Sequence, residues 1–191
     1  SSANERNKTQ QISANAFVPF DTVGGPIQEC VLPLVAIVAD AVYPVGTAFV
    51  IHPDGLLMTA THVLEYAASF AQPGRRPDGT TYPHYELYAL YVSAQRTTSP
   101  CMFGGPLPVD KLWTAPDHDV AIVFTRLPQD VETGQKLRLP TVRLRPRPPK
   151  VGEPIMAVGY HAMGASRIVE GKVTYKQQTS ISTASVTEVF E

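Results

Sequence analysis

Residues 45–64 read VGTAFVIHPDGLLMTATHVL, and this stretch decides the fold class of the chain. Two apolar runs flank His52-Pro53-Asp54-Gly55, in which proline presets its backbone angle, aspartate hydrogen-bonds locally and glycine accepts a positive φ. The pattern predicts a β-hairpin over residues 45–60. The second run leads directly to His62, which lies beside small hydroxyl residues where a short helix is predicted to begin.

Short runs rich in β-branched and aromatic residues recur along the rest of the chain. They predict strands at 31–40, 85–94, 111–115, 119–125, 154–160, 167–175 and 184–190. The 18 prolines fit an all-β chain better than a helical one, because proline breaks helix interiors. The sequence therefore predicts an all-β barrel or sandwich.

Residues 127–150 differ from their surroundings, because strand patterning weakens there while proline and charge increase. The segment is predicted to connect two β units. Its basic residues alternate with prolines and indicate a solvated linker rather than a phosphate-binding patch; they are Arg143, Arg145, Arg147 and Lys150. A net charge of −1 gives no field that attracts a polyanion, so no nucleic-acid partner is expected.

Composition disfavours several other classes of protein. No apolar run approaches the roughly 20 residues that span a bilayer, and the first residues are polar, so we expect no membrane segment and no secretion signal. Cys30 and Cys101 are too few for a disulfide framework, although one bridge and two reduced thiols both stay open, and a cytoplasmic location is expected. No cofactor is expected. The histidines lack metal-ligand spacing, and only His84 with Glu86 stays open as a metal site.

His62 is the main candidate for chemistry, with a histidine bonded only within its own turn as the alternative. A histidine base in acyl hydrolysis needs a carboxylate that holds the imidazole in the correct tautomer. Asp119 directly precedes the apolar run VAIVF, which would fix its position. Asp117 and His118 compete for that role from a loop of uncertain direction.

Three blocks then resemble one known family in the family's own order. GTAFVI…LLMTATHVL, HDVAIVF and VGEPIMAVGY…IVEGKVTY are similar to segments of the chymotrypsin-like (trypsin-like) serine peptidases. The resemblance implies a chymotrypsin-like double β-barrel that acts on protein or peptide substrates, with the first barrel complete and the second only begun. It also implies that His62 is the general base and Asp119 its orienting partner. Val63 replaces the cysteine of the disulfide-bonded digestive branch, which favours a disulfide-poor intracellular type.

The same resemblance divides the chain into four parts. They are an N-terminal arm (1–22), the first barrel (23–126), the Pro-rich connector (127–150) and the opening strands of the second barrel (151–191). An open second barrel would leave sheet edges and apolar surface unpaired. We therefore expect the chain to need its missing half or a partner.

The family's nucleophile is missing from these residues. It lies in a Gly-x-Ser-Gly-Gly turn, and no such turn occurs in residues 1–191. Ser166 lacks the following glycines and is expected in a loop, while Cys101 belongs to the first barrel and is expected to be structural. The serine is expected beyond Glu191 or on a second chain, so that residues 1–191 alone are inactive.

Two other functions stay open. A protease-derived module without a nucleophile could bind a protein segment by adding a strand at a sheet edge. A cysteine peptidase that uses Cys101 is the weaker alternative.

Overall fold

The computed structural model describes residues 18–19, 26–93, 103–129, 131–145, 147–160, 163–169, 172–173 and 179–189. Predicted features at other positions, including Cys101, lie outside the described residues. The helices are α1 (Pro26–Cys30) and α2 (Thr61–Ser69). The strands are β1 (Val18–Pro19), β2 (Val31–Val38), β3 (Ala41–His52), β4 (Leu56–Thr59), β5 (Gln72–Arg75), β6 (Thr81–His84), β7 (Glu86–Ser93), β8 (Phe103–Thr114), β9 (Ala121–Thr125), β10 (Pro154–Gly159), β11 (Ser166–Val169), β12 (Lys172–Val173) and β13 (Ser180–Ser185).

Six of these strands close into an antiparallel barrel in the order β3-β2-β7-β8-β9-β4. The ring closes where β4 pairs with both β9 and β3. Gly55 has φ +96°, as the predicted hairpin turn requires, and its N–H donates to the carbonyl of His52 at 3.2 Å. The all-β class and the chymotrypsin-like barrel predicted from the sequence are confirmed.

The barrel interior is apolar because alternate side chains of each strand point inward. The buried strand residues of the main core include Leu32, Leu34, Ala36, Ala48, Val50, Leu57, Ala89, Tyr91, Leu107, Ala121 and Val123. Helix α2 adds Val63, Leu64 and Ala67 to the same cluster. The core therefore holds the helix that begins next to His62.

Several strands differ from their predicted bounds; β3, for example, begins at Ala41 rather than at Val45. β8 begins at Phe103 rather than at 111, because its glycine- and proline-containing first half still pairs with β7. The last strand is β13 rather than 184–190, because residues 180–185 pair along the whole of β10. The predicted strand 167–175 is divided into β11 and β12.

The C-terminal strands fall into two sheets. β10, β13 and β1 form a three-stranded sheet, whereas β11 pairs with β3 at the margin of the barrel. Ile155 and Met156 on β10 leave about half of their surface exposed, 48% and 49%. The domain boundaries drawn from the sequence stay predictions.

The predicted connector runs along the barrel surface. The N–H of Leu139 donates to the carbonyl of Pro53 at 3.0 Å, and Leu139 is buried in the barrel core. Arg147 forms a two-pronged ion pair with Glu153, at 3.1 and 2.9 Å. This pair raises the pKa of Arg147 and lowers the pKa of Glu153 to about 2.

Candidate active site

His62 owes its position to the junction between β4 and α2. β4 ends at Thr59, and His62 is the second residue of the helix that begins at Thr61. The next side chain, Val63, is buried against Gly46 of β3, where a Cβ would lie only 2.7 Å from both γ-carbons of Val63. A glycine at position 46 therefore lets the first turn of α2 approach the barrel closely.

Asp119 lies in the turn between β8 and β9, two residues before β9 begins. The turn is closed by the N–H of Ala115, which donates to the carbonyl of Val120 at 2.9 Å. Because β9 pairs with β4 through Ala121 and Thr59, this turn reaches the same end of the barrel as the start of α2.

The structure brings the two candidate side chains together across 57 residues of sequence. His62 Nδ1 lies 2.6 Å from Asp119 Oδ2, and the His62 backbone N–H donates to Asp119 Oδ1 at 3.0 Å. Both side chains are well exposed, at 70% and 56%. One carboxylate thus binds the imidazole and also satisfies a backbone donor in the first turn of α2.

These contacts favour the ionised form of the carboxylate. The backbone N–H of His62 and then its imidazole hold the pKa of Asp119 below the usual range. An ionised carboxylate at a helix N-terminus is also stabilised by the helix dipole. Asp119 is therefore an acceptor near neutral pH, as a group that orients an imidazole must be.

Thr61 makes a contact that the sequence did not predict. Its hydroxyl lies 3.1 Å from the carbonyl oxygen of Val120 and 3.4 Å from that of His118. The only sequence signal was the hydroxyl residues around His62, and nothing local indicated their partners. Thr59 donates instead to the carbonyl of Thr47 in β3, at 2.8 Å.

This arrangement supports acid–base chemistry at the second ring nitrogen. When Nδ1 donates its proton to a carboxylate, the neutral imidazole keeps an acceptor lone pair on Nε2. A proton taken by Nε2 would leave an imidazolium, which the neighbouring Asp119 stabilises.

Other residues singled out in the sequence take different places. Asp117 and His118 lie in the same turn as Asp119, and the described contact of His118 with α2 uses its backbone carbonyl rather than its ring. Ser166 was expected in a loop and instead begins β11, where it pairs with Val42. Cys30 is the last residue of α1, and burial is the main reason why the pKa of its thiol is raised.

No group of three potential metal ligands comes together in the described ranges. His84 and Glu86 line an open cleft of about 340 Å³ beside the β5–β6 hairpin. Nor does any helix in the described part of the chain have the length and apolarity needed to cross a membrane.

A closed six-stranded antiparallel barrel that carries a paired histidine and aspartate at one end has the architecture of a chymotrypsin-like peptidase. Comparison with family profiles agrees, because the profile of the trypsin-like peptidase domain matches residues 46–190. The match covers well over half of the 191 residues, and the chain belongs to this family. A search of curated proteins found no match.

Proposed function

We propose that this chain contributes to a serine-type endopeptidase that hydrolyses peptide bonds in protein or peptide substrates. His62 acts as the general base and later as the general acid, and Asp119 orients its imidazole and stabilises the imidazolium. The family membership supports peptidase chemistry in general. No cofactor takes part in the proposed reaction.

The observation that carries the proposal is that the Asp119 carboxylate makes two hydrogen bonds with His62. The same carboxylate accepts from the imidazole and from the backbone N–H of His62. The two bonds fix both the direction of the ring and its position relative to the helix. Catalysis by a base requires this kind of defined geometry.

The proposal needs a nucleophile, because a histidine and an aspartate alone cannot form an acyl-enzyme. Residues 1–191 contain no Gly-x-Ser-Gly-Gly turn. We therefore propose that the serine comes from polypeptide outside these residues, either in the same chain or in a second one. The two cysteines fit a reducing compartment, so the proposed location is cytoplasmic.

The test is the intact denatured mass of every polypeptide in the purified protein, before and after reaction with a fluorophosphonate that labels activated serines. We expect a single adduct on a species larger than 20.8 kDa or on a second chain. His62→Ala should abolish the adduct. His52→Ala replaces another exposed histidine and should retain it. A lone species without an adduct, or labelling that survives His62→Ala, would contradict the proposal.

A second candidate function is a protein-binding module without catalysis. It is favoured by β10, which pairs with β13 on one side and, within the described residues, with no strand on the other. Ile155 and Met156 are about half exposed on this edge strand, as a surface that accepts an added strand would be. Complete absence of fluorophosphonate labelling, together with binding of an extended peptide that Met156→Lys abolishes, would favour this function.

A further inference from the structure

Regular secondary structure holds only the two ends of the segment that carries Asp119, where Thr114 of β8 pairs with Ala121 of β9. Residues 115–120 lie outside the strands, and more than half of the Asp119 side chain is exposed. Asp119 itself bonds α2 through its side chain, and a second contact with the helix acts on the backbone of the segment.

The hydroxyl of Thr61 supplies that contact. It reaches the backbone carbonyls on both sides of Asp119, at 3.1 Å to Val120 and 3.4 Å to His118. One hydroxyl proton serves one acceptor at a time, so the shorter contact with Val120 is the principal bond. The acceptors belong to the backbone, and the bond therefore holds the segment itself rather than a single side chain.

Threonine at a helix start ordinarily caps its own helix. Here the N-cap is Ala60, which makes no side-chain cap bond, and Thr61 directs its hydroxyl to residues 57 and 59 positions away. Asp119 accepts from a backbone donor of the same first turn. Two kinds of hydrogen bond thus join the segment and the helix. The Thr61 side chain donates to the backbone of the segment, and the Asp119 side chain accepts from the backbone of the helix.

We infer that Thr61 is a positioning residue whose hydroxyl holds the 115–120 segment against α2 and so sets the distance from the Asp119 carboxylate to His62. The catalytic consequence rests on the proposed function, whereas the structural consequence does not. Without the hydroxyl, the segment moves away and both bonds of the carboxylate lengthen.

The structural consequence is tested by NMR titration of the Asp119 carboxyl carbon in the complete purified protein, with any partner chain present. Thr61→Val keeps the branched shape and removes the donor, and it should raise the pKa of Asp119 towards the ordinary range. Thr61→Ser keeps the hydroxyl and should retain the lowered pKa. Thr59→Val removes a hydroxyl whose bond within the described residues is to the carbonyl of Thr47, and it should leave the pKa of Asp119 unchanged.

Asp78 provides an internal reference in each titration. Its pKa is lowered by the hydroxyl and N–H of Thr80, and neither Asp78 nor Thr80 lies in α2 or in the 115–120 segment. The pKa of Asp78 should be the same in all variants. If Thr61→Val leaves the pKa of Asp119 at the wild-type value, or if Thr59→Val raises it equally, the inference is overturned.

The catalytic consequence is measured as the rate of fluorophosphonate labelling in the complete peptidase. Loss of one hydrogen bond predicts labelling that is about two- to tenfold slower in Thr61→Val and restored in Thr61→Ser. Equal rates in wild type and Thr61→Val would contradict the positioning role. If the wild-type protein is not labelled at all, the proposed function fails, and the titration still decides the role of Thr61.

Discussion

Replacing Gly46 with alanine tests how the barrel holds the helix that carries His62. The added Cβ would lie 2.7 Å from both γ-carbons of Val63, a separation at which one of the two groups must move. Val63 cannot rotate away easily, because a β-branched side chain has one strongly preferred rotamer in a helix. Overpacking of this kind costs about 1–3 kcal/mol, and the reduced freedom of the unfolded chain offsets about 0.4–1 kcal/mol. We expect a net loss of about 1–2 kcal/mol in the free energy of unfolding.

Equilibrium unfolding in urea measures this loss. With a denaturant slope of about 1–3 kcal/mol/M, the midpoint of Gly46→Ala should fall by roughly 0.5–1 M. Gly105→Ala is the matched control, because Gly105 also lies in a barrel strand but has no described atom within 4 Å of an added Cβ. Its midpoint should stay unchanged or rise slightly.

A double-mutant cycle identifies the cause. Val63→Ala removes two methyl groups, which costs about 1.6 kcal/mol at about 0.8 kcal/mol each, and it frees the space that the new Cβ needs. The double variant Gly46→Ala/Val63→Ala should therefore be more stable than the sum of the single changes by about 1–2 kcal/mol. Effects that add to within about 0.5 kcal/mol would refute the steric explanation.

Three other changes have defined outcomes. Gly55→Ala places a side chain at φ +96° and 2.7 Å from a backbone oxygen, so thermal unfolding should reveal a loss of about 2 kcal/mol or more. The pKa of Glu153 is lowered to about 2, so its ion pair with Arg147 contributes stability above the ordinary pKa near 4.5 and loses it as pH falls towards 2. Glu153→Gln should therefore weaken the dependence of the melting temperature on pH between about 4.5 and 2. If the variant shows the same dependence as wild type, the ion pair is not its cause. Tyr160→Phe removes a 2.8 Å bond to the buried carbonyl of Val31 and should cost about 1–2 kcal/mol in urea unfolding, whereas a neutral result would mean that another donor replaces the hydroxyl.

Much of the first barrel could be predicted because its signals are local. The turn at Gly55 needs a positive φ, and the apolar alternation on either side has the period of a strand. The first half of β8 was missed because Gly104, Gly105 and Pro106 break that pattern, yet the backbone there still pairs with β7. Pairing with a neighbour can thus form a strand where local propensity is low.

The candidate site was predictable in its residue types but only partly in its contacts. His62 was indicated by the strand, the hydroxyl residues and the helix that surround it, and Asp119 by the apolar run that follows. The backbone bond from His62 to Asp119 and the reach of Thr61 to Val120 join positions 57 and 59 residues apart. Sequence spacing alone does not predict which atoms lie within hydrogen-bond distance when their residues are this far apart in the chain.

The sequence by itself determined the all-β class, the hairpin before His62 and the two residues most suited to acid–base chemistry, because turn geometry and side-chain alternation depend on near neighbours. Only the tertiary structure decided that the Asp119 carboxylate also accepts from the His62 backbone, and that β11 joins the barrel rather than the sheet of β10 and β13. These outcomes depend on which residues face each other across paired strands, since a shift of one residue turns every side chain to the opposite face. Register is set by the packed core as a whole. It places β4 beside β9, so that the Asp119 carboxylate in the β8–β9 turn reaches the first turn of α2.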